Sequence, residues 1–231
     1  MTAYKNIKVI AFDADDTLWV NETYFREAEL KFAKLLSNYE TLNKLDQELF
    51  LMEMKNLHLY GYGVKGFMLS MVESALQLSN YKIKPAIIQE IIELGKEMLQ
   101  KPIELLEGVE QSLKALKPNY RLILATKGDL LDQERKLEKS GLLKYFHHIE
   151  ILSDKKAVNY KKLLSHLDIS SSEFLMIGNS LKSDILPLLE IGAKAIHVPY
   201  HTTWAHEIIE NHSNNNDYKT VKKLNNILKF L

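Results

Sequence analysis

The apolar run Val9-Ile10-Ala11-Phe12 ends on Asp13, Asp15 and Asp16, three carboxylates within four residues, and then Thr17. A short apolar run of this kind reads as a buried strand, and charge is expensive where a strand is buried. Carboxylates crowded at its C-terminal end therefore point to a site at the carboxyl edge of a sheet, where open α/β folds hold their ligands. Clustered carboxylates repel one another unless a cation or a proton sits among them. A hard divalent cation with oxygen ligands is the natural occupant. The competing reading is a solvated acidic turn in which Asp or Thr caps a helix, so the rest of the chain has to decide.

Five short apolar runs carry a strand signal, at residues 8–12, 121–125, 148–152, 174–177 and 195–198. Helical patterns separate the later ones, at 130–139 before Gly141, at 157–167, and at 185–191 before Gly192, glycines being common helix stops. Strands alternating with helices imply right-handed βαβ units and a parallel sheet. Residues 22–100 break the alternation. Helical periodicity runs through Phe25, Ala28, Phe32 and Leu36, then Leu45, Leu49 and Met52, then Val72, Leu76, Ile87, Ile91 and Leu94, with no strand between them. A separate small bundle inserted after the first strand is expected, with Pro102 and Leu105-Leu106-Glu107-Gly108 as its return linker. The polar stretch Ser213-Asn214-Asn215-Asn216-Asp217 reads as a loop.

The other strand ends also carry polar groups. Thr126, before Lys127, Gly128 and the helix-capping Asp129, can bind a phosphate oxygen together with backbone N–H groups near a helix start. Ser153-Asp154-Lys155-Lys156 follows the third run, and Gly178-Asn179-Ser180 follows the fourth, with Asp184 and Pro187 opening the next helix. Pro187 is tolerated there because a helix's first turn has spare N–H groups.

In order and spacing, these four segments resemble the motifs of the haloacid dehalogenase-like (HAD) superfamily, over nearly the whole chain up to Tyr200. The resemblance implies an α/β fold, a Rossmann-like parallel sheet with helices on both faces plus an inserted all-helical cap. Residues 1–20 and 103–231 would form the catalytic core and residues 21–102 the cap. It implies Asp13 as a nucleophile that forms an aspartyl-phosphate and Asp15 as general acid, then base. Thr126, with Lys127 beside it, would bind the substrate phosphate. Lys155 takes the position of the charge-neutralising cation. Lys156 and Lys161 compete for that role, because the usual Lys-Pro pair is absent. Mg2+ would be held by Asp13, the backbone carbonyl of Asp15 and Asn179, with Asp184 holding metal-bound water or positioning Lys155. Asn179 stands where the family pattern has an acid. An amide carbonyl still ligates magnesium but brings no charge, so weaker binding is expected.

Asp15 selects among chemistries. Halide leaves carbon without a proton donor, whereas an alkoxide leaving phosphorus benefits from a positioned acid. The resemblance therefore implies a phosphomonoesterase acting on a small phosphorylated metabolite. A 2-haloacid dehalogenase, a sugar-phosphate phosphotransferase and a catalytically silent HAD-fold binding protein are the alternatives.

Composition narrows the classes further. With 231 residues, 46% of them hydrophobic, the chain can bury a sizeable core. Thirty basic and thirty acidic residues cancel, so bulk charge points to neither nucleic acid nor membrane. No cysteine is present for disulfides or thiolate metal sites, which suits a cytoplasmic protein. No apolar run is long enough to span a bilayer, and the first is too short, and too soon interrupted by Asp13, for a signal peptide. Oligomeric state is not readable.

Several features carry bland readings. Gly61-Tyr62-Gly63-Val64-Lys65-Gly66 matches a dinucleotide fingerprint in letters only, since no strand precedes it; a turn between helices is expected. His197, His201 and His206 read as loop and cap residues. Residues 219–228 read as a final amphipathic helix with Val221, Leu224, Ile227 and Leu228 inward.

Overall fold

The computed structural model describes residues 4–209 and 217–231; most of the polar 213–217 stretch lies outside them. The described chain divides into two compact units, one of residues 1–22, 103–127 and 133–231, the other of residues 23–102 and 128–132.

The first unit is built on a parallel sheet. Its strands are β1 (Val9–Phe12), β2 (Arg121–Lys127), β3 (His148–Leu152), β4 (Phe174–Gly178), β5 (Lys194–His197) and β6 (Lys219–Thr220). They lie in the order β3-β2-β1-β4-β5-β6, every pair parallel. Side chains of β1 alternate between two apolar layers: Ile10 and Phe12 pack with Leu113, Leu122 and Leu175, whereas Val9 and Ala11 pack with Ile123, Leu163 and Met176. A sheet covered on both faces explains why its strands read as continuous apolar runs. Because β2 and β4 both pair with β1, chain order reverses beside β1, the switch point at which open α/β sheets take ligands.

The second unit is helical, containing most of α1 (Glu22–Leu35) and all of α2 (Leu42–Tyr60), α3 (Val64–Leu78) and α4 (Pro85–Gln100). Phe32, Leu36, Leu45, Leu49, Phe67, Met71 and Ile91 form its core, the same three- and four-residue spacing that makes the insertion read as helix. Gly61 and Gly63 take positive φ in the two-helix turn expected of the fingerprint-like segment.

Helices α5 (Val109–Leu116), α6 (Leu130–Ser140), α7 (Ala157–Leu167) and α8 (Leu186–Glu190) link the strands. The helix expected over 185–191 is present as the short α8, preceded by a π-type turn, Leu181–Ile185. One expectation needs correction. The final amphipathic helix is instead the two-residue β6 followed by a 3-10 segment, Leu224–Lys229. Val221, Leu224 and Ile227 are nevertheless buried, a spacing of three that suits the 3-10 period.

Candidate active site

All residues that converge on the carboxyl end of β1 belong to the sheet unit. In the strand register Phe12 lies opposite Leu124 of β2 and Ile177 of β4. Asp13 therefore emerges between the end of β2, which carries Thr126, and the start of the β4 turn, which carries Asn179. Asp13 and Thr126 are buried, 6% and 1% exposed.

The floor of the site is an ionic cluster. Lys155 Nζ donates to Asp13 Oδ1 at 2.5 Å and to Asp184 Oδ1 at 2.7 Å. Burial alone would lower the Lys155 ammonium, but Asp13 and Asp184 outweigh it and hold the group charged, well above its ordinary range. Burial pushes the Asp13 carboxyl the other way, up to about 7, with Lys155 opposing the rise. Two carboxylates face one ammonium, so the floor keeps one excess negative charge when all three are ionised. Asp184 reaches this point because residue 178 is glycine: a Cβ there would stand 2.3 Å from the Asp184 carboxylate. Its second oxygen accepts from the Ser180 backbone N–H at 3.1 Å.

Beside the floor lies a group of oxygens. Thr17 Oγ1 donates to Asp13 Oδ2 at 3.0 Å. The tip of the Asn179 amide lies 3.1 Å from Asp13 Oδ2 and 3.2 Å from the Asp15 backbone carbonyl. An amide can turn either end to such a point. With its NH2 inward, Asn179 donates to both oxygens. With Oδ1 inward, it stands 3.1 and 3.2 Å from the other two oxygens, the spacing of about 3 Å expected between adjacent ligands of a six-coordinate ion with 2.0–2.1 Å bonds. The donor set and the excess negative charge thus fit a hard divalent cation.

Asp15 faces different surroundings. Its carboxylate accepts from Trp19 Nε1 at 2.7 Å, Gln133 Nε2 at 2.8 Å and Lys136 Nζ at 2.9 Å. Lys136 also donates to Asn21. Sequence reading missed Trp19, Gln133 and Lys136. Only the i, i+3 pairing of Gln133 and Lys136 on one face of α6 could have drawn attention to the latter two.

Lys127, expected at the phosphate, is turned onto Glu207 at 2.6 Å and Ser183 Oγ at 2.9 Å. Glu207 also accepts from Ser180 Oγ and Ser183 Oγ. Burial would raise this carboxyl, but Lys127 and the two hydroxyls hold it down at about 2. Sequence reading missed Glu207 as well. Lys156 is outside the cluster, largely exposed and paired with Asp154, so of the competing cations adjacent to that pair it is Lys155 that meets Asp13.

A family model of haloacid dehalogenase-like hydrolases matches residues 7–192. The chain belongs to this family. Among solved structures, this HAD-like hydrolase resembles a haloacid dehalogenase-like family hydrolase from Xanthomonas campestris, with 39% identity, a TM-score of 0.85, and 94% of this chain and 87% of that one covered. The HAD hydrolase YfnB from Bacillus subtilis, solved bound to magnesium, shares the fold at 18% identity and a TM-score of 0.64 over 98% of this chain and 99% of that one. Human N-acylneuraminate-9-phosphatase is 24% identical over 200 residues, 82% of this chain and 81% of its own.

Of the remaining features of this HAD-like hydrolase, His206 lies in a short 3-10 turn as expected, whereas His197 ends strand β5 instead of lying in a loop. Lys65 is paired with Asp129 at 2.9 Å. The ring of His197 bonds the Asn179 backbone carbonyl, and the His206 ring lies beside Lys182 and meets the Trp204 ring at a tilt. No helix among the described residues is long and apolar enough to cross a membrane.

Proposed function

We propose that this HAD-like hydrolase is a magnesium-dependent phosphomonoesterase acting on a small phosphorylated metabolite through an aspartyl-phosphate on Asp13. The observation that carries the reading is the pairing of a buried, lysine-bound Asp13 with a second carboxylate two residues on, held apart by its own donors. The first is placed to attack, and the second is assigned the acid–base role. Phosphatase-named relatives from human and rat, at 24% and 26% identity, support the class.

Asp13 Oδ2, the Asp15 carbonyl and Asn179 Oδ1 would hold the cation, which screens phosphate from carboxylate and withdraws charge from the phosphoryl oxygens. Oδ1 of Asp13, oriented by Lys155, is left to attack phosphorus. As the Asp13–phosphorus bond forms, the ester P–O bond breaks and Asp15 delivers its proton to the departing alkoxide. Lys155 and Thr126 compensate charge on the equatorial oxygens. In the second step Asp15 takes a proton from water, the resulting hydroxide attacks phosphorus, and the Asp13–phosphorus bond breaks to free phosphate, leaving Asp13 a carboxylate and Asp15 protonated as at the start. Asp184 acts by positioning Lys155. On its place in chain order, between β1 and β2, the helical unit is assigned the role of a cap. A cytoplasmic location follows from the class of substrate.

The decisive assay measures phosphate released from a panel of small phosphomonoesters with and without magnesium. Turnover that requires the metal and falls by roughly 10⁴-fold or more in Asp13→Asn supports the reading. Near-normal turnover in that variant, or halide release from a 2-haloacid without metal, defeats it.

A further inference from the structure

The sheet unit carries a second cluster of metal-ligating side chains, on the edge strand rather than at the switch point. His148 opens β3 and Glu150 stands two residues along it, so both project from the same side of the strand. His166 lies in the last turn of α7. One ligand atom from each of the three lies within 4.8 Å of the other two. We propose that His148, Glu150 and His166 form a binding site for a divalent transition metal of the zinc class.

A hydrogen-bonded pair alone explains only part of the cluster. His148 Nε2 and Glu150 Oε2 are 2.8 Å apart, which satisfies those two groups. His166 is brought to the same point from another element; among the described residues its ring accepts or donates no hydrogen bond and meets His148 edge-on, with centroids 5.5 Å apart. Two imidazoles and a carboxylate, with no thiolate, select a borderline ion rather than magnesium. They also match the three-ligand zinc pattern whose fourth position is filled by water. Tetrahedral ligands at zinc bond lengths stand about 3.3 Å apart, so the site closes by small rotations of side chains that are already partly solvated, His148 and Glu150 being 30% and 27% exposed.

The location gives the ion a structural consequence. Residues 148 and 166 begin and end one strand–helix segment, and the turn between them carries Lys155. A metal bound there cross-links the two ends of the segment that delivers the floor lysine, and like any ligand of the folded state it raises stability.

The test uses the full chain, stripped with a chelator and then held in saturating magnesium so that the carboxylate site is occupied. Zinc is titrated against a chromophoric competitor. One zinc per chain is expected, with a higher melting temperature. Substituting cobalt(II) should give the intense visible bands of four-coordination. His166→Ala and, separately, His148→Gln should weaken zinc by more than the roughly ten- to hundredfold that indirect changes cost. Neither should alter phosphate release in magnesium, which keeps this result separate from the outcome of the phosphatase assay. Unchanged zinc affinity in both variants, or six-coordinate cobalt spectra, would overturn the proposal.

Discussion

Asp13 and Asp15 are separated by one residue, yet they belong to two differently built regions. The floor around Asp13 is made of groups that directly follow strands or fold back onto them: Lys155 after β3 and Asp184 after β4. It is dry, and each charge in it depends on the others. The outer cluster around Asp15 draws on Trp19 and on Gln133 and Lys136 of α6, and Asp15 and Lys136 are 23% and 15% exposed. A dry floor fixes geometry at a cost in stability if it is disturbed. The outer cluster leaves its carboxylate within reach of solvent.

That contrast makes opposite demands on two variants. Lys155→Met leaves two buried carboxylates without their cation, and removing one member of such a cluster costs roughly 3–5 kcal/mol. Its melting temperature should fall steeply, along with turnover. Asp15→Asn should melt close to the parent and still lose roughly 10²–10⁴-fold in turnover of an alkyl phosphate. With para-nitrophenyl phosphate, whose leaving group needs little acid help, the same variant should release one burst of nitrophenolate per active site and then stall, because the step that needs a base is lost. Equal thermal losses in the two variants, or no burst, would erase the distinction between floor and outer cluster.

The same contrast explains what could be read from sequence. Apolar runs that end in polar groups mark β1 to β4 to within one or two residues, and with them Asp13, Thr126, Lys155 and Asn179, because burial of a parallel strand leaves a local imprint on composition. The insertion's helical period is equally local. Gln133, Lys136 and Glu207 leave no such imprint. On α6 the first two look like any solvated helix face, and the partner that gives them meaning, Asp15, lies 118 and 121 residues away. Glu207 sits in a short 3-10 turn with no periodicity to read. The strand β6 is two residues long, too short to alternate. Inward positions 221, 224 and 227 were legible, but the choice between an α-helix and a 3-10 turn at that spacing depends on what lies beneath them.

Glu207 offers a way to sharpen the comparison from the end of β2, through its partner Lys127. Its carboxyl is held at about 2, below its ordinary 4.5, by Lys127 and two serines that outweigh its burial. A depressed carboxyl contributes its stability in full above the unfolded value and loses it as pH falls through the folded one. The parent should therefore lose on the order of 3 kcal/mol across that window, whereas Glu207→Gln should lack this component. Melting curves at pH 5 and pH 3 (about one unit either side of 4) compare the two slopes. Parallel slopes would mean that Lys127 is held by something other than this carboxylate.

The smallest effect is expected at Asn179, where floor and outer cluster meet. In the metal-free chain its NH2 can donate to Asp13 Oδ2 and to the Asp15 carbonyl, standing in for a cation; in the metal-bound chain only its Oδ1 is useful. An aspartate at 179 would remove the stand-in donor and add a full charge to the ligand set. Asn179→Asp should thus bind magnesium roughly tenfold more tightly, because affinity at such sites rises with ligand charge. It should also melt lower than the parent without metal and regain that loss when magnesium is added. Calorimetric titration and melting with and without magnesium measure the two halves of this argument on the same protein. A variant that binds magnesium no better than the parent would mean that the amide is not among the ion's ligands, and the oxygens around Asp13 would then have to be assigned to a proton instead.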